Sequence, residues 1–272
     1  MSIAKSLQSL NDNLKLSDRM PVVFLGHGSP MNALEDTAYS RGWRALGKSL
    51  PRPQAILVVS AHWMTKGSTL VDVSAMPRTI HDFYGFPPEL YEEQYQAPGA
   101  PKLAAEVVTL LASHQAVGDD TWGLDHGAWS ILKFLYPNAD VPVFQLSMDM
   151  TKDLSWHIDI GRRLKALRDR GVLILGSGNI VHNLRKMRMG ANPLDWAQEF
   201  DEGFATNLRD YNLSALADRD QLGSLLRMAH PTVDHYLPAL SVAGASDAKD
   251  SLIFMNEGID LGSVSMRSFV FH

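Results

Sequence analysis

The 272-residue chain contains no cysteine. Disulfide bonds, thiolate metal ligands and a cysteine nucleophile are therefore excluded, and any metal site must use histidine, aspartate or glutamate. This absence is typical of a reducing compartment, and we expect a cytoplasmic protein. The N-terminal stretch lacks the apolar core of a signal peptide. No segment reaches the roughly 20 consecutive apolar residues that a membrane helix requires.

A basic surface is also missing. The chain has 25 lysine and arginine residues against 30 aspartate and glutamate residues, which gives a formal net charge of −5. Without a basic stripe we expect no nucleic-acid partner. Hydrophobic residues make up 45% of the chain, enough for a large core, and no change in composition marks a linker. We predict one domain at residues 20–272 after a loosely ordered extension at residues 1–19; an oligomer is compatible with this organisation.

Strand and helix patterns alternate along the chain. Apolar runs rich in β-branched residues predict buried strands at 22–25, 55–60, 141–146 and 172–175. Helical periodicity is found at 102–113, 128–135, 154–170, 196–211 and 237–243. Two further strands are predicted at 252–254 and 264–271, as a possible antiparallel edge. The alternation predicts an α/β fold in which helices cover both faces of a mixed, mostly parallel central sheet.

Three of the four predicted buried strands are followed at once by a histidine: His27, His62 and His182. Ligands bind outside the carboxyl ends of strands in open α/β sheets, so parallel strands would bring these side chains to one rim. Each residue also has a structural alternative. His27 can bond the backbone in the GHGSP turn, His62 can cap the sheet, and His182 can begin a helix.

Two other loops carry candidate site histidines. His126 lies in WGLDHGAW, whose glycines and tryptophans are typical of a walled pocket, and Asp125 can either orient His126 or cap the next helix. In HPTVDHYLPAL, two prolines confine His230 to extended chain and place His235 near the first turn of a helix. His235 is the stronger candidate ligand, whereas His230 is predicted either to be structural or to support the ligands without binding the metal.

The remaining histidines and the common catalytic motifs give weaker signals. His81 lies in a proline-rich segment at 76–101 that is predicted to be a functional loop, where it is a lid residue or an exposed one. His114, His157 and His272 are predicted to lie on the surface. The motifs GxGxxG, GxxxxGK[ST] and GxSxG are absent, so Ser60 and Ser177 are predicted to be strand-end residues rather than nucleophiles.

Six short segments occur in a fixed order along the chain: GHGSPMN, SAHW, IHDFYGFP, WGLDHGAW, GSGNIVHN and PTVDHYLP. Together they resemble the DOPA extradiol dioxygenase family, which belongs to the class III extradiol superfamily typified by protocatechuate 4,5-dioxygenase. The similarity runs from about Pro21 to the C terminus, so it implies that residues 20–272 form the catalytic domain.

The resemblance implies a role for each of five histidines. His27 and His62 would be metal ligands, and His235 would replace the glutamate that is the usual third ligand. His182 would be the catalytic base, close enough to serve also as a metal ligand. His126 would contact the substrate or oxygen.

The resemblance further implies an oxidoreductase that uses Fe(II) and dioxygen to open the ring of a catechol such as DOPA, with Zn(II) able to occupy the site in purified protein. Trp63, Trp122, Tyr84 and Phe86 are candidates for an apolar ring pocket or for the core. Two alternatives remain open. Three imidazoles also suit a zinc-dependent hydrolase, and the same fold can serve a non-catalytic metal-binding protein.

Overall fold

The computed structural model describes residues 19–272. The predicted extension at residues 1–19 therefore lies, except for Arg19, outside the described residues. The strands, in chain order, are β1 (Val22–Gly26), β2 (Ala55–Thr65), β3 (Thr69–Asp72), β4 (Ala116–Asp119), β5 (Val143–Asp149), β6 (Val172–Gly178), β7 (Leu252–Met255), β8 (Ile259–Asp260), β9 (Val264–Ser265) and β10 (Ser268–Phe271).

Helices connect most of these strands. In chain order they are α1 (Ala38–Ser49), α2 (Pro88–Glu92), α3 (Pro101–Leu110), α4 (His126–Leu135), α5 (Leu154–Leu164), α6 (Asp195–Arg209), α7 (Arg219–Ala229) and α8 (Leu237–Ala245). Within residues 19–272, no helix is both long and apolar enough to cross a membrane.

The main sheet has the strand order β4-β3-β5-β2-β6-β1-β10-β7, and β8 pairs with β9 in a separate hairpin. Its centre is parallel, because β2 pairs in parallel with both β5 and β6, and β6 pairs in parallel with β1. Strand β10 is antiparallel to β1 and to β7, and β3 is antiparallel to β5. The predicted fold class is confirmed, including the antiparallel edge formed by the C-terminal strands.

Both faces of the sheet are buried. Along β1, Val22 and Phe24 belong to the hydrophobic cluster on one face, whereas Val23 and Leu25 belong to the cluster on the other. This alternation follows from the pleat of the strand. Helices α3, α5, α6 and α8 contribute to the first cluster, and α1 and α4 contribute to the second. A strand covered on both faces needs apolar side chains in both directions, which explains the uninterrupted apolar runs.

One strand extends further than predicted. The strand expected at 55–60 continues to Thr65, because pairing with β5 shifts register between Val59 and Met64 and then resumes. His62 therefore lies within β2, at an irregular stretch of the strand, rather than after its end.

The C-terminal prediction also needs correction. The strand expected at 264–271 is two strands, because Val264 pairs with Asp260 in the hairpin whereas Phe269 pairs with Phe24 in the main sheet. The helix expected at 154–170 is α-helical only to Leu164 and continues as a 3-10 helix.

The proline-rich segment at 76–100 is irregular apart from the short helix α2. Leu90 and Tyr95 are buried in it, and the Tyr95 hydroxyl donates a hydrogen bond of 2.9 Å to the carbonyl oxygen of Tyr136. These contacts anchor the segment in the core, so it can hold a side chain at a fixed position.

The prediction that His114 and His157 lie on the surface is wrong. Both are buried, at 3% and 1% exposure. The His114 ring packs against Trp156 at 4.5 Å between centroids, and its Nε2 lies 3.0 Å from Asp159 Oδ2. His157 lies on the core-facing side of α5, one residue before the buried Ile158. His272 is partly exposed, at the end of the chain.

We expect the free energy of unfolding to be nearly constant above about pH 7 and to fall between about pH 6.5 and pH 4. Burial lowers the pKa of His157 from 6.5 to about 4. In that interval the unfolded chain binds a proton that folded His157 does not, so protonation favours unfolding. The share due to His157 is at most about 3 kcal/mol. Urea unfolding across this pH range measures the loss, which should shrink in His157→Gln; an equal loss in the variant would contradict the assignment.

Candidate metal centre

Five histidines meet at one rim of the sheet. His27 follows β1, His62 lies near the carboxyl end of β2, and His182 follows β6, so three adjacent parallel strands supply three of them. His126 is the first residue of α4, and His235 lies in the turn before α8. The ring centroids of His27, His62 and His235 are 5.1–5.2 Å from one another. The convergence predicted from strand order is therefore present in the structure.

His27 is held by hydrogen bonds to the neighbouring strand. Its backbone N–H donates to the carbonyl oxygen of Gly178, and the chain then turns at Gly28, whose φ of +62° favours glycine. Its Nδ1 lies 2.9 Å from the hydroxyl of Ser177, which donates its own hydrogen to the carbonyl oxygen of Gly127 at 2.5 Å. Ser177 must therefore accept from His27 Nδ1–H, which leaves Nε2 as the nitrogen with a free lone pair.

His62 lies beside His27. The two Nε2 atoms are 3.3 Å apart, and His62 Nδ1 lies 3.5 Å from Asp82 Oδ2. The carboxylate favours the hydrogen on Nδ1, so Nε2 of His62 also presents a lone pair. Glycine at position 127 leaves room for the His62 ring, because a Cβ there would lie 2.6 Å from Ser60 Oγ and 2.8 Å from His62 Cδ2.

His235 is oriented by its neighbour in the chain. Its Nδ1 lies 2.5 Å from Asp234 Oδ2, and its carbonyl oxygen accepts from Asn179 N–H at 3.0 Å. The second bond ties the turn before α8 to the chain just after β6. A carboxylate behind an imidazole in this way fixes its tautomer and raises the basicity of the other nitrogen, as in many metal sites.

These three imidazoles fit a divalent metal ion. One ring nitrogen from each of His27, His62 and His235 lies within 4.8 Å of the others. Two nitrogens bound to one ion at about 2.0–2.1 Å in tetrahedral geometry are about 3.3 Å apart, which matches the 3.3 Å between the Nε2 atoms of His27 and His62. Two facing lone pairs repel at this distance, and a cation between them removes that repulsion.

Burial keeps the candidate ligands neutral. Desolvation, followed by the neighbouring histidines, lowers the pKa of His27 and His235 well below 6.5. Desolvation, followed by the proximity of His126, lowers the pKa of His62 to about 3. Neutral imidazole is the form that binds metals, so protons do not compete for these nitrogens near neutral pH.

His182 and His126 each lie against one of the three candidate ligands. The His182 ring stacks on His235 at 3.5 Å between centroids, and the His126 ring lies 3.9 Å from His62. Burial lowers the pKa of His182 to about 4, although the Asp234 carboxylate opposes the shift. The value near 6.5 expected for an unperturbed side chain therefore does not apply, and His182 is neutral at pH 7. Its nitrogens group with Asp234 and His235 rather than with His27 and His62.

Asp82 is a residue of this centre that sequence reasoning missed. Its Oδ2 lies 3.0 Å from His126 Nδ1 and 3.5 Å from His62 Nδ1, and its Oδ1 accepts from the His126 backbone N–H at 2.8 Å. Although desolvation opposes it, the proximity of His126 lowers the pKa of Asp82, so the carboxylate is charged. The sequence feature that could have indicated Asp82 is its position next to His81 in the IHDFYGFP segment. No local spacing, however, indicates that it contacts His126.

Asp125 takes the second of its two predicted roles. It is the N-cap of α4, accepting from Ala128 N–H, and its Oδ1 also accepts from the Ser60 hydroxyl at 2.6 Å. It orients the helix that begins with His126 but does not hold the His126 ring.

The two remaining histidines lie apart from this centre. His230 is buried and donates from Nε2 to the carbonyl oxygen of Ile180 at 2.7 Å. His81 is partly buried, and its Nε2 donates to the carbonyl oxygen of Glu93 at 2.9 Å, so it belongs to the anchored loop rather than to an exposed tip.

An apolar cavity of about 440 Å³ opens beside the five histidines. Of the four aromatic residues proposed for its wall, Phe86 lines it. Tyr84 is 91% exposed, and Trp63 and Trp122 stack on each other at 5.6 Å outside the cavity lining, so a pocket role is wrong for these three. The alternative of a core position holds for Trp63, which is 3% exposed. The apolar walls that sequence reasoning missed are Pro30, Leu184, Met187, Leu261 and Val264.

The fold and this centre define the class: an α/β protein with a histidine-rich candidate metal site beside an apolar cavity. Comparison with known proteins narrows the class. A family model described as the catalytic LigB subunit of aromatic ring-opening dioxygenase matches residues 21–261.

Individual relatives agree with the family model. The chain is 47% identical to a protein of Escherichia coli (strain K12) named 4,5-DOPA dioxygenase extradiol, over 95% of this chain and 97% of the relative. It is 36% identical to a protein of Beta vulgaris with the same name, over 96% and 97% of the two chains. A crystal structure of an uncharacterized protein from Escherichia coli K12 is similar with a TM-score of 0.81 at 42% identity, covering 93% of this chain and all of the other.

The chain therefore belongs to the LigB family of aromatic ring-opening dioxygenases, and it is an enzyme of the extradiol dioxygenase class. The resemblance inferred from six sequence segments is confirmed. The alternative of a non-catalytic protein with this fold is not supported.

We expect His27→Ala and His62→Ala to lose bound divalent metal, because each leaves only two of the three converging imidazoles. Metal content after gel filtration, measured by inductively coupled plasma mass spectrometry, tests this. His272→Ala is the matched control, since it removes an imidazole at the end of β10, by the start of β1 and away from the histidine cluster. A full metal complement in either site variant would remove that histidine from the centre.

Ser177→Ala and Asp234→Ala should weaken metal binding about tenfold or more while leaving all three ligands in place. Each substitution removes the group that fixes the tautomer of one imidazole. Competition with a chromogenic chelator measures the affinity, and Asp220→Ala on the exposed side of α7 is the control. Affinity equal to that of the unmodified protein in both variants would show that these groups do not orient the ligands.

Proposed function

We propose that the protein is a non-haem, iron(II)-dependent extradiol dioxygenase that uses dioxygen to open the ring of a catechol such as DOPA. The observation that carries this proposal is the convergence of three neutral imidazoles beside an apolar cavity, with two further histidines at its wall. The names of the relatives from Escherichia coli and Beta vulgaris support DOPA as the example substrate. The proposed catalytic domain is residues 20–272.

His27, His62 and His235 would hold the ion. Three neutral imidazoles leave the centre more positive than two imidazoles and a carboxylate would, which favours a doubly deprotonated catechol. Iron(II) held by three protein ligands supplies open coordination positions and the one-electron chemistry that lets spin-paired catechol react with dioxygen. Zinc can occupy the same nitrogens, so purified protein can carry either metal.

His182 is proposed as the base. It is neutral at pH 7, lines the cavity and lies against His235, so it can accept a proton from a hydroxyl of a catechol placed there. Its pKa of about 4 makes it a weak base for a free phenol. The positive centre must therefore lower the pKa of the catechol before this transfer is favourable. His182 as an additional metal ligand remains a prediction.

His126, whose ring lies beside His62, is proposed to contact the reacting groups. Its Nδ1 lies 3.0 Å from the charged Asp82 carboxylate, which favours a hydrogen on that nitrogen. Asp82 thus positions the ring of His126, which lines the cavity. His182 lies against His235 and His126 lies against His62, so the two histidines contact different candidate ligands.

The apolar wall of the cavity would bind the aromatic ring of the substrate and exclude water from it. Phe86, Leu184 and Met187 surround a space suited to one aromatic ring, and burial of that ring contributes about 25 cal/mol per Å² of apolar surface. Exclusion of water also strengthens the interactions of the charged catecholate with the centre.

The direct test is anaerobic reconstitution with Fe(II), followed by addition of oxygen and a catechol. Oxygen uptake in equal proportion to a yellow ring-opened product supports the proposal. Turnover of an ester or amide by the Zn(II) form under nitrogen, with no oxygen uptake by the Fe(II) form, would favour the hydrolase alternative instead.

His182→Ala should keep its metal and lose about 10²–10⁴-fold in kcat, the range expected for removal of a general base. Metal content and kcat are measured on the same Fe(II)-loaded sample, with His272→Ala as the control. An unchanged kcat would exclude His182 from the mechanism, and loss of the metal would make it a ligand instead.

A further inference from the structure

One wall residue of the cavity is acidic. Of the described residues that line it, Asp260 alone is neither apolar, a glycine, a serine nor a histidine. Four histidines of the centre are neutral near pH 7, because burial lowers their pKa values: His27, His62, His182 and His235. The nearby Arg267 is already paired with Asp201 and Glu257. The cavity therefore presents one negative group in an apolar setting.

Strand register fixes where Asp260 stands. Asp260 pairs with Val264 in the β8–β9 hairpin, and Val264 forms an antiparallel bridge with His182. Directly opposed residues on neighbouring strands project to the same face, and all three line the cavity. Two strand spacings separate Asp260 from His182, which is about 10 Å between backbones.

That separation suits a small extended molecule. A catechol with a two-carbon amine arm spans about 8 Å from hydroxyl to nitrogen, counted from bond lengths near 1.5 Å. With its hydroxyl groups at the histidines, such a molecule would bring its amine to the Asp260 end of the cavity.

Tyr39 holds the carboxylate in place. Its hydroxyl donates a hydrogen bond of 2.6 Å to Asp260 Oδ1, which leaves Oδ2 free to accept from a ligand. Burial, and then the bond to Asp260, raise the pKa of Tyr39, so the hydroxyl remains a donor. A carboxylate fixed in this way loses little conformational freedom when it binds a cation.

We propose that Asp260, positioned by Tyr39, receives the ammonium group of a catechol that carries an aliphatic amine. The inference rests on the proposed function, because it names the substrate class of the same centre. An ammonium ion gains a charge-assisted hydrogen bond at Asp260, whereas a carboxylate without an amine is repelled. The cavity thus selects catecholamines and their amino acids over acidic or unsubstituted catechols.

Four catechols separate the contributions of amine and carboxylate: dopamine has the amine alone, DOPA has both groups, 3-(3,4-dihydroxyphenyl)propionate has the carboxylate alone, and 4-methylcatechol has neither. We expect kcat/KM of the Fe(II) enzyme for dopamine to exceed that for 4-methylcatechol about tenfold or more. Asp260→Asn should abolish this preference and improve the propionate, since the amide keeps an oxygen for Tyr39 but carries no charge.

Controls separate recognition from folding. Glu35→Gln removes one negative charge from an exposed position outside the cavity and should leave the preference unchanged. Tyr39→Phe should reduce the preference without abolishing it, because the carboxylate remains but is less fixed. Calorimetric titration of the loaded protein with the same compounds in the absence of oxygen reports binding without turnover.

Two results would overturn the inference. The unmodified enzyme could treat dopamine and 4-methylcatechol alike, in both turnover and binding. Alternatively, Asp260→Asn could lower kcat/KM equally for all four catechols, which would make Asp260 a structural residue. If the Fe(II) enzyme consumed no catechol while anaerobic binding still favoured the amines, the proposed function would fail and the ammonium site would stand.

Discussion

Parallel pairing of β2, β6 and β1 is the constraint on which the candidate centre depends. These three neighbouring strands end at the same rim, so residues 150 positions apart in the chain, His27 and Ser177, lie within hydrogen-bonding distance. Hydrogen bonds that cross between strands then fix each imidazole. Ser177 of β6 holds His27 of β1, and Asn179 after β6 holds the turn that carries His235. The sheet therefore builds the centre: backbone pairing of the strands sets the positions of the imidazoles, and hydrogen bonds from neighbouring side chains set their tautomers.

Features of the fold and the centre that depend on local sequence patterns could be predicted, whereas features that depend on residues distant in the chain could not. The four central strands, and the histidines associated with three of them, could be predicted because apolar runs and strand-end residues are local patterns. His62 was placed after its strand, although it lies inside, because the register shift in β2 depends on its partner β5. The burial of His114 and His157 was missed for a related reason. His114 is buried by Trp156 of α5, a contact that its own segment does not predict. His157 is buried because its side of α5 faces the core.

The residues that orient the ligands were the least predictable. Asp82, Asp234 and Ser177 each occur in ordinary local contexts, and only their distances to an imidazole give them meaning. The same is true of the cavity wall. Trp63 and Trp122 were candidates for the cavity wall because they are aromatic and close to histidines in the chain. In the structure their rings stack on each other instead. Leu184 and Met187, in a charged segment, are the residues that contact the cavity. Proximity in the chain to a histidine therefore predicted neither the groups that orient the ligands nor the residues that line the cavity.

The position of β10 in the sheet has a consequence for how the protein is made. β1 carries His27 and lies between β6 and β10, so it has both neighbours only after residues 268–271 have been synthesised. His235 also enters late, with the turn before α8. The three imidazoles can therefore converge only after the turn before α8 and strand β10 have been synthesised and paired. Binding of a metal ion by all three would follow that late step of folding.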